Sequence, residues 1–184
     1  MPASITYEVT TQHYEAELDT HEYIAGFRDI DRFVQLCRQC ANYGRRHGCP
    51  PFVDDTLDRV GRYNRVRLLG VKITPAEQHI PLSAADELML PVVLQMNSHL
   101  LNLERQLHGM ACGFVGSCPH CDEPCSRIDG LPCRHPELVR PSLEAMGFDM
   151  VKTSSQLLGI EIQWGRDGML PDYLMLVCGL FYNG

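Results

Sequence analysis

Several features are missing from this 184-residue chain, and each absence narrows what it does. No stretch approaches the ~18 apolar residues that a membrane span needs. The longest apolar run, Tyr173 to Tyr182, reads as a buried strand. The start, Met1-Pro2-Ala3-Ser4-Ile5-Thr6, has no basic segment leading into an apolar one, so no secretory leader is expected. Positive charge is in short supply: 16 Lys and Arg against 23 Asp and Glu leave a net charge of −7, which argues against nucleic acid as a partner. There is no phosphate loop, dinucleotide fingerprint or Gly-x-Ser-x-Gly elbow, and no pair of histidines at helical ligand spacing. Repeats, low-complexity tracts and linkers are also lacking. With 45% hydrophobic and 21% charged residues, the chain reads as a single domain over 1–184 that buries its own core.

Cysteine, by contrast, is abundant: there are nine. A cytoplasmic, reducing setting is expected, and there such a number favours metal over disulfides. The first set is Cys37-x2-Cys40-x8-Cys49, running into Pro50-Pro51. The second is Cys118-x2-Cys121-x3-Cys125-x7-Cys133, with Cys112 upstream and Arg134-His135-Pro136 downstream. Close-set thiolates can point several sulfurs at one zinc ion or iron–sulfur cluster. The second set has a full complement of four. Its spacing is close to, though not the same as, the x2, x2, x3 run of bacterial ferredoxins. The first set has three, so its fourth ligand comes from elsewhere, with His47, Cys112 and His135 as candidates, or the fourth position is open as in catalytic sites. Cys37 and Cys40 also fit a core-facing helical stripe, which is the plainer alternative. Cys178, in an apolar strand, reads as a core thiol.

Charge is unevenly spread. Residues 1–27 carry five acidic residues and no Lys or Arg, whereas residues 28–67 hold nine Arg against five Asp. Positive charge around the first cysteine set would lower thiol pKa values, unless those arginines are simply a solvated surface.

Hydrophobic period places the elements. Ile5, Tyr7 and Val9 alternate in a strand over residues 4–10. A helix capped by Asp29 or Asp31 carries Phe33, Leu36, Cys37, Cys40 and Tyr43, ending at Gly44 or Gly48. Arg65–Ile73 is apolar enough to be a central strand. Ser83 and Asp86 suggest a cap for a long helix to about His108, striped by Leu88, Val92, Met96, Leu100, Leu103 and Leu107, with Pro91 kinking or starting it. Residues 109–136 form an aperiodic loop long enough to need an organising metal. Pro141–Met146 reads as a short helix stopped by Gly147, and Ile160–Trp164 with Tyr173–Phe181 as a hairpin around Asp167-Gly168. The whole is expected to be an α+β domain with a small mixed sheet, packed helices and a metal-binding loop.

The two motifs together resemble a known group. Cys37-x2-Cys40-x2-Tyr43-Gly44-x4-Cys49-Pro50-Pro51, Gly116-Ser117-Cys118-x2-Cys121-x3-Cys125-x7-Cys133-Arg134-His135-Pro136 and Arg140-Pro141-Ser142-x-Glu144-Ala145-x-Gly147 are similar to the cysteine-rich family of unknown function described as predicted metal-binding proteins. The resemblance implies metal binding at Cys37, Cys40, Cys49, Cys118, Cys121, Cys125 and Cys133, and no activity. Cys112 lies outside the pattern.

Three functions are consistent with these residues. One is an iron–sulfur protein, with a [4Fe–4S] cluster on the four-cysteine set and a second centre on the three, exchanging electrons with a redox protein partner. Another is a structural zinc module for protein interaction. The third is an enzyme that uses an open position at the three-cysteine centre as a Lewis acid.

Overall fold

The computed structural model describes residues 7–116, 118–121 and 123–184. Among them, four strands form one sheet: β1 (Val9–Asp19), β2 (Arg65–Pro75), β3 (Met110–Cys112) and β4 (Leu174–Tyr182), in the order β1-β2-β4-β3. All three strand pairs are antiparallel. Five helices surround the sheet: α1 (Thr20–Phe27), α2 (Ile30–Arg38), α3 (Thr56–Val60), α4 (Ala85–Leu107) and α5 (Met150–Leu157). The α+β class expected from the sequence is the one that forms.

The apolar run of β2 puts it second in the sheet. Val66, Leu68, Val71 and Ile73 are all fully buried, as a strand covered on both faces requires. Leu68 and Val66 face one core with Tyr23, Phe148 and Phe181, while Val71 and Ile73 face another with Leu88, Val92, Met96 and Leu100 of α4. Stacked rings tie α1 to the segment before α5, with Tyr23 and Phe148 centroids 4.4 Å apart and only 7° from parallel. Such pairs add about 1 kcal/mol beyond their burial.

Several boundaries differ from the sequence expectation, each for a local reason. Residues 4–6 of the expected first strand lie outside the described residues, and β1 runs on to Asp19. Its polar Thr10, Thr11, Gln12 and Glu15 hide a period-two pattern in which Tyr14, Ala16 and Leu18 pack on the core. Asp19 then caps α1, its carboxylate accepting from the backbone N–H of His21 at 2.7 Å and Glu22 at 3.2 Å. The same device opens α3 at Asp55 and α5 at Asp149. Asp29 caps α2 as expected, but that helix stops at Arg38, so Cys40 and Tyr43 lie beyond it in tight turns. In α4 the Ser83 cap is absent: residues 82–84 form a 3-10 turn, and Pro91 sits inside the continuous helix. Pro141–Met146 yields only the 3-10 turn Glu144–Met146, ended by Gly147 at φ 94°. Residues 160–164 do not pair as a strand. Side chains hold them instead, Ser154 donating to the Ile160 carbonyl at 2.6 Å and Tyr173 to that of Glu161. The Asp167-Gly168 turn does form, with both residues at positive φ and an Arg166–Met169 bridge.

Glu17 on β1 accepts from Arg65 at 2.8 Å and Arg67 at 3.0 Å on β2. The Arg65 bond, more than any other influence, brings its carboxyl down to about 2. A lowered acid stabilises the fold above its ordinary pKa of 4.5 and loses that contribution as pH falls toward 2. Glu17→Gln is expected to cost at most about 1 kcal/mol near neutral pH, because the cluster is partly exposed. In urea titrations the gap from the wild type should shrink steadily below about pH 4.5. A gap unchanged through that range would contradict the assignment.

Candidate metal centre

The two cysteine segments converge at one end of the domain. In the first, Cys37 ends α2 and tight turns follow, with Cys40 N–H donating to the Cys37 carbonyl at 3.0 Å and Cys49 N–H to that of Arg46 at 3.1 Å. Gly44, at φ 69°, turns the chain back so that its N–H reaches the Pro50 carbonyl at 2.8 Å. The Asn42 N–H points at the Cys40 Sγ, 3.5 Å away. Cys37 and Cys49 are half-buried and Cys40 is exposed, so these are not core thiols.

The second segment leaves the sheet at β3. Among its described residues it is irregular apart from a 3-10 turn, Ser126–Asp129. Hydrogen bonds staple this loop: the Ser126 hydroxyl donates to the Pro132 carbonyl at 2.7 Å, and Arg134 to that of Pro124 at 2.9 Å. At its far end Arg140 grips Glu104 of α4 in a forked pair, with Nη2–Oε2 at 2.6 Å. Glu104 also accepts from the Ala111 N–H at 2.8 Å. Burial alone would raise the Glu104 carboxyl, but those partners outweigh it and hold it below its usual range.

Arg127 joins the segments. Its guanidinium donates to the carbonyls of Arg46 (2.6 Å), Cys49 and Pro51 (2.6 Å), all in the first cysteine segment. Nearby, His47 shares a hydrogen bond with Ser126 at 3.3 Å, and Asn42 donates to the Gly116 carbonyl at 3.4 Å. The approach is close: a Cβ on Gly48 would stand 3.0 Å from the Arg140 carbonyl oxygen.

Two neighbouring cavities result. The smaller, about 10 Å³, has Cys118, Cys121, Cys125 and Cys133 in its wall. The larger, about 150 Å³, has Cys37, Cys40 and Cys49. Cys118, His120, Arg46 and Val139 line both. The seven cysteines singled out from the sequence therefore gather here as one set of four and one set of three. Of the three candidates for a further ligand, His47 and His135 line the smaller cavity, while Cys112 is fully buried in β3. Cys178 is buried in β4, as expected. Among the described residues, no group of three or more His, Cys, Asp or Glu is arranged so that it could hold a metal ion as it stands.

Burial favours the protonated form at three of the thiols. Burial pushes Cys49 up to about 11, helped by Cys40 and Cys37 and only partly opposed by Arg127 and Arg46. Burial also raises Cys37 and Cys118. This corrects the expectation that the arginine-rich segment lowers thiol pKa values: desolvation outweighs the positive charge. Cys118 accepts a backbone N–H from His120, a bond that favours its thiolate. Four soft donors around the smaller cavity, with an N–H group turned on the Cys118 sulfur, fit a thiolate-held metal.

Sequence reasoning passed over Glu144 as a functional residue. It lines the larger cavity, and its Oε2 is shut from solvent without a hydrogen-bond partner. Burial lifts its carboxyl to about 7 against its own backbone N–H and the Ser142 hydroxyl.

Residues 27–180 match the family model described as predicted metal-binding protein (DUF2284). The chain belongs to this family. The match takes in both cysteine sets and extends from the end of α1 into β4. No curated protein and no solved structure gives a significant match. Among the described residues, no helix is long and apolar enough to cross a membrane.

Removing the Arg127 fork should loosen the junction between the segments. Arg127→Ala is expected to cost about 1.5–3 kcal/mol, the worth of charge-assisted hydrogen bonds, here to part-buried and exposed carbonyls. Arg127→Lys should recover less than half of that, because an ammonium cannot span three acceptors. Chemical denaturation of both variants checks this, and a Lys variant as stable as wild type would refute the fork's role.

Proposed function

We propose that this member of the predicted metal-binding family is an iron–sulfur protein that carries electrons. Cys118, Cys121, Cys125 and Cys133 would hold a [4Fe–4S] cluster, and Cys37, Cys40 and Cys49 most of a second centre. The observation that carries this reading is that the cavities of the two cysteine sets share Cys118, His120, Arg46 and Val139 in their walls. Two metal centres that close suit electron transfer, as in two-cluster ferredoxins, better than they suit a single structural ion. Bound iron–sulfur groups supply one-electron chemistry. The residues of this chain supply sulfur ligands, backbone N–H groups turned on the Cys40 and Cys118 sulfurs, and positive charge from Arg46 and Arg127. A protein redox partner is part of this proposal.

One observation favours a different metal. The cavity among the four cysteines, about 10 Å³, is the size for a single ion or water rather than a cluster. A tetrahedral zinc site that organises the loop is therefore the second reading.

Metal and acid-labile sulfide analysis of anaerobically prepared protein separates the two. The iron–sulfur reading predicts a brown protein with near-equal iron and sulfide, losing part of both in Cys121→Ser and another part in Cys40→Ser. A colourless protein with stoichiometric zinc and no sulfide would overturn it.

A further inference from the structure

We propose that the Glu144 carboxylate is the fourth ligand of the three-cysteine centre, so that Cys37, Cys40, Cys49 and Glu144 together hold that centre. This rests on the second metal centre proposed above. Glu144 lines the same cavity as those three thiols. The turn that carries it packs on α2, which carries Cys37: a Cβ on Gly147 would stand 2.9 Å from Ile30 Cδ1. The carboxyl lies within electrostatic reach of the Cys37 sulfur.

The state of its oxygen is the second observation. More than nine in ten buried polar groups have a hydrogen-bond partner, because desolvating one without compensation is costly. Glu144 Oε2 is buried and has none. Arg140, a cation in the same cavity wall, is already engaged by Glu104. An acceptor held out of water, in a residue that shares a cavity wall with three thiols, matches what a bound cation would complete.

Of the other donors in the larger cavity's wall, Cys118 belongs to the four-cysteine set and His120 also borders the smaller cavity; the earlier candidates stand elsewhere. His47 is bonded to Ser126 and lines the smaller cavity with His135, and Cys112 is fully buried in β3. As they stand, the four side chains border the cavity rather than converge on a point, so loading draws them inward. A carboxylate is a harder donor than a thiolate and binds zinc or iron less firmly than sulfur does. The three-cysteine centre should therefore be the weaker of the two, closed by a ligand that an incoming molecule can displace.

Titration of the reduced, metal-free full chain with Co²⁺ tests this, since sulfur-to-cobalt charge-transfer bands count thiolate ligands and a competing chelator gives affinities. The wild type should take up two Co²⁺. Glu144→Gln should weaken the second by about 10-fold or more, shift its ligand-field bands and leave the first unchanged. The metal-free Glu144→Gln chain should melt no lower than wild type, because the amide removes a buried carboxyl with one oxygen unpartnered; a purely structural residue would behave the opposite way. Glu144→Cys should restore tight binding with added charge-transfer intensity. A second Co²⁺ bound with wild-type affinity and spectrum by Glu144→Gln overturns the role of Glu144 while leaving the centre in place. A wild type that binds one Co²⁺, or a Cys40→Ser variant that still binds two, overturns the three-cysteine centre and the Glu144 proposal with it.

Discussion

The guanidinium of Arg127 is where the two cysteine segments become one site. Some 80 residues separate them in sequence, and the sheet and α4 bring them only to the same end of the domain. What fixes them against each other is a cation from the second loop bonded to three main-chain carbonyls of the first. The Arg46 carbonyl also accepts the Cys49 N–H within a turn, so the fork adds to local turn bonding as well as joining two loops. Glu104 and Arg140 play the matching part at the far end, pinning the exit of the cysteine loop to α4. Between these anchors the loop needs little regular structure, which is why a segment so rich in Gly and Pro holds its place.

The same burial that assembles the site pushes Cys37, Cys49 and Cys118 toward their protonated forms. Cys49 is raised to about 11 even with Arg46 and Arg127 close by. A metal must therefore displace protons as it binds, so its affinity rises with pH and its binding is coupled to final closure of the site. This also explains how seven cysteines can line two adjoining cavities without three of them yet meeting at a point among the described residues. A pre-closed set of thiolates would carry strong mutual repulsion in the absence of a cation.

Much of the architecture was legible in the sequence because periodicity is a local signal. The stripe Leu88, Val92, Met96 and Leu100 marked α4, and the apolar runs of β2 and β4 marked the centre of the sheet. The short helices were missed because five to eight residues hold too little of a stripe to register. Their signal was the capping carboxylate, with Asp19 three residues before Glu22 as the clearest case. At the site, cysteine spacing divided the thiols into four and three, and these line two adjoining cavities, with Cys118 in the wall of both. It overestimated the reach of α2, and it credited nearby arginines with a pKa effect that burial reverses. The Arg127 fork and the orphaned Glu144 oxygen could not be read at all. Both depend on contacts between residues far apart in the chain, which no short window of sequence contains.

Electron paramagnetic resonance of the anaerobically purified, reduced protein tests most directly whether two centres are held side by side. Two neighbouring paramagnetic clusters split and broaden each other's signals. The wild type should show that interaction, and Cys40→Ser should collapse it to the simple spectrum of one isolated cluster. A wild-type spectrum of a single isolated centre, unchanged by Cys40→Ser, would contradict the account.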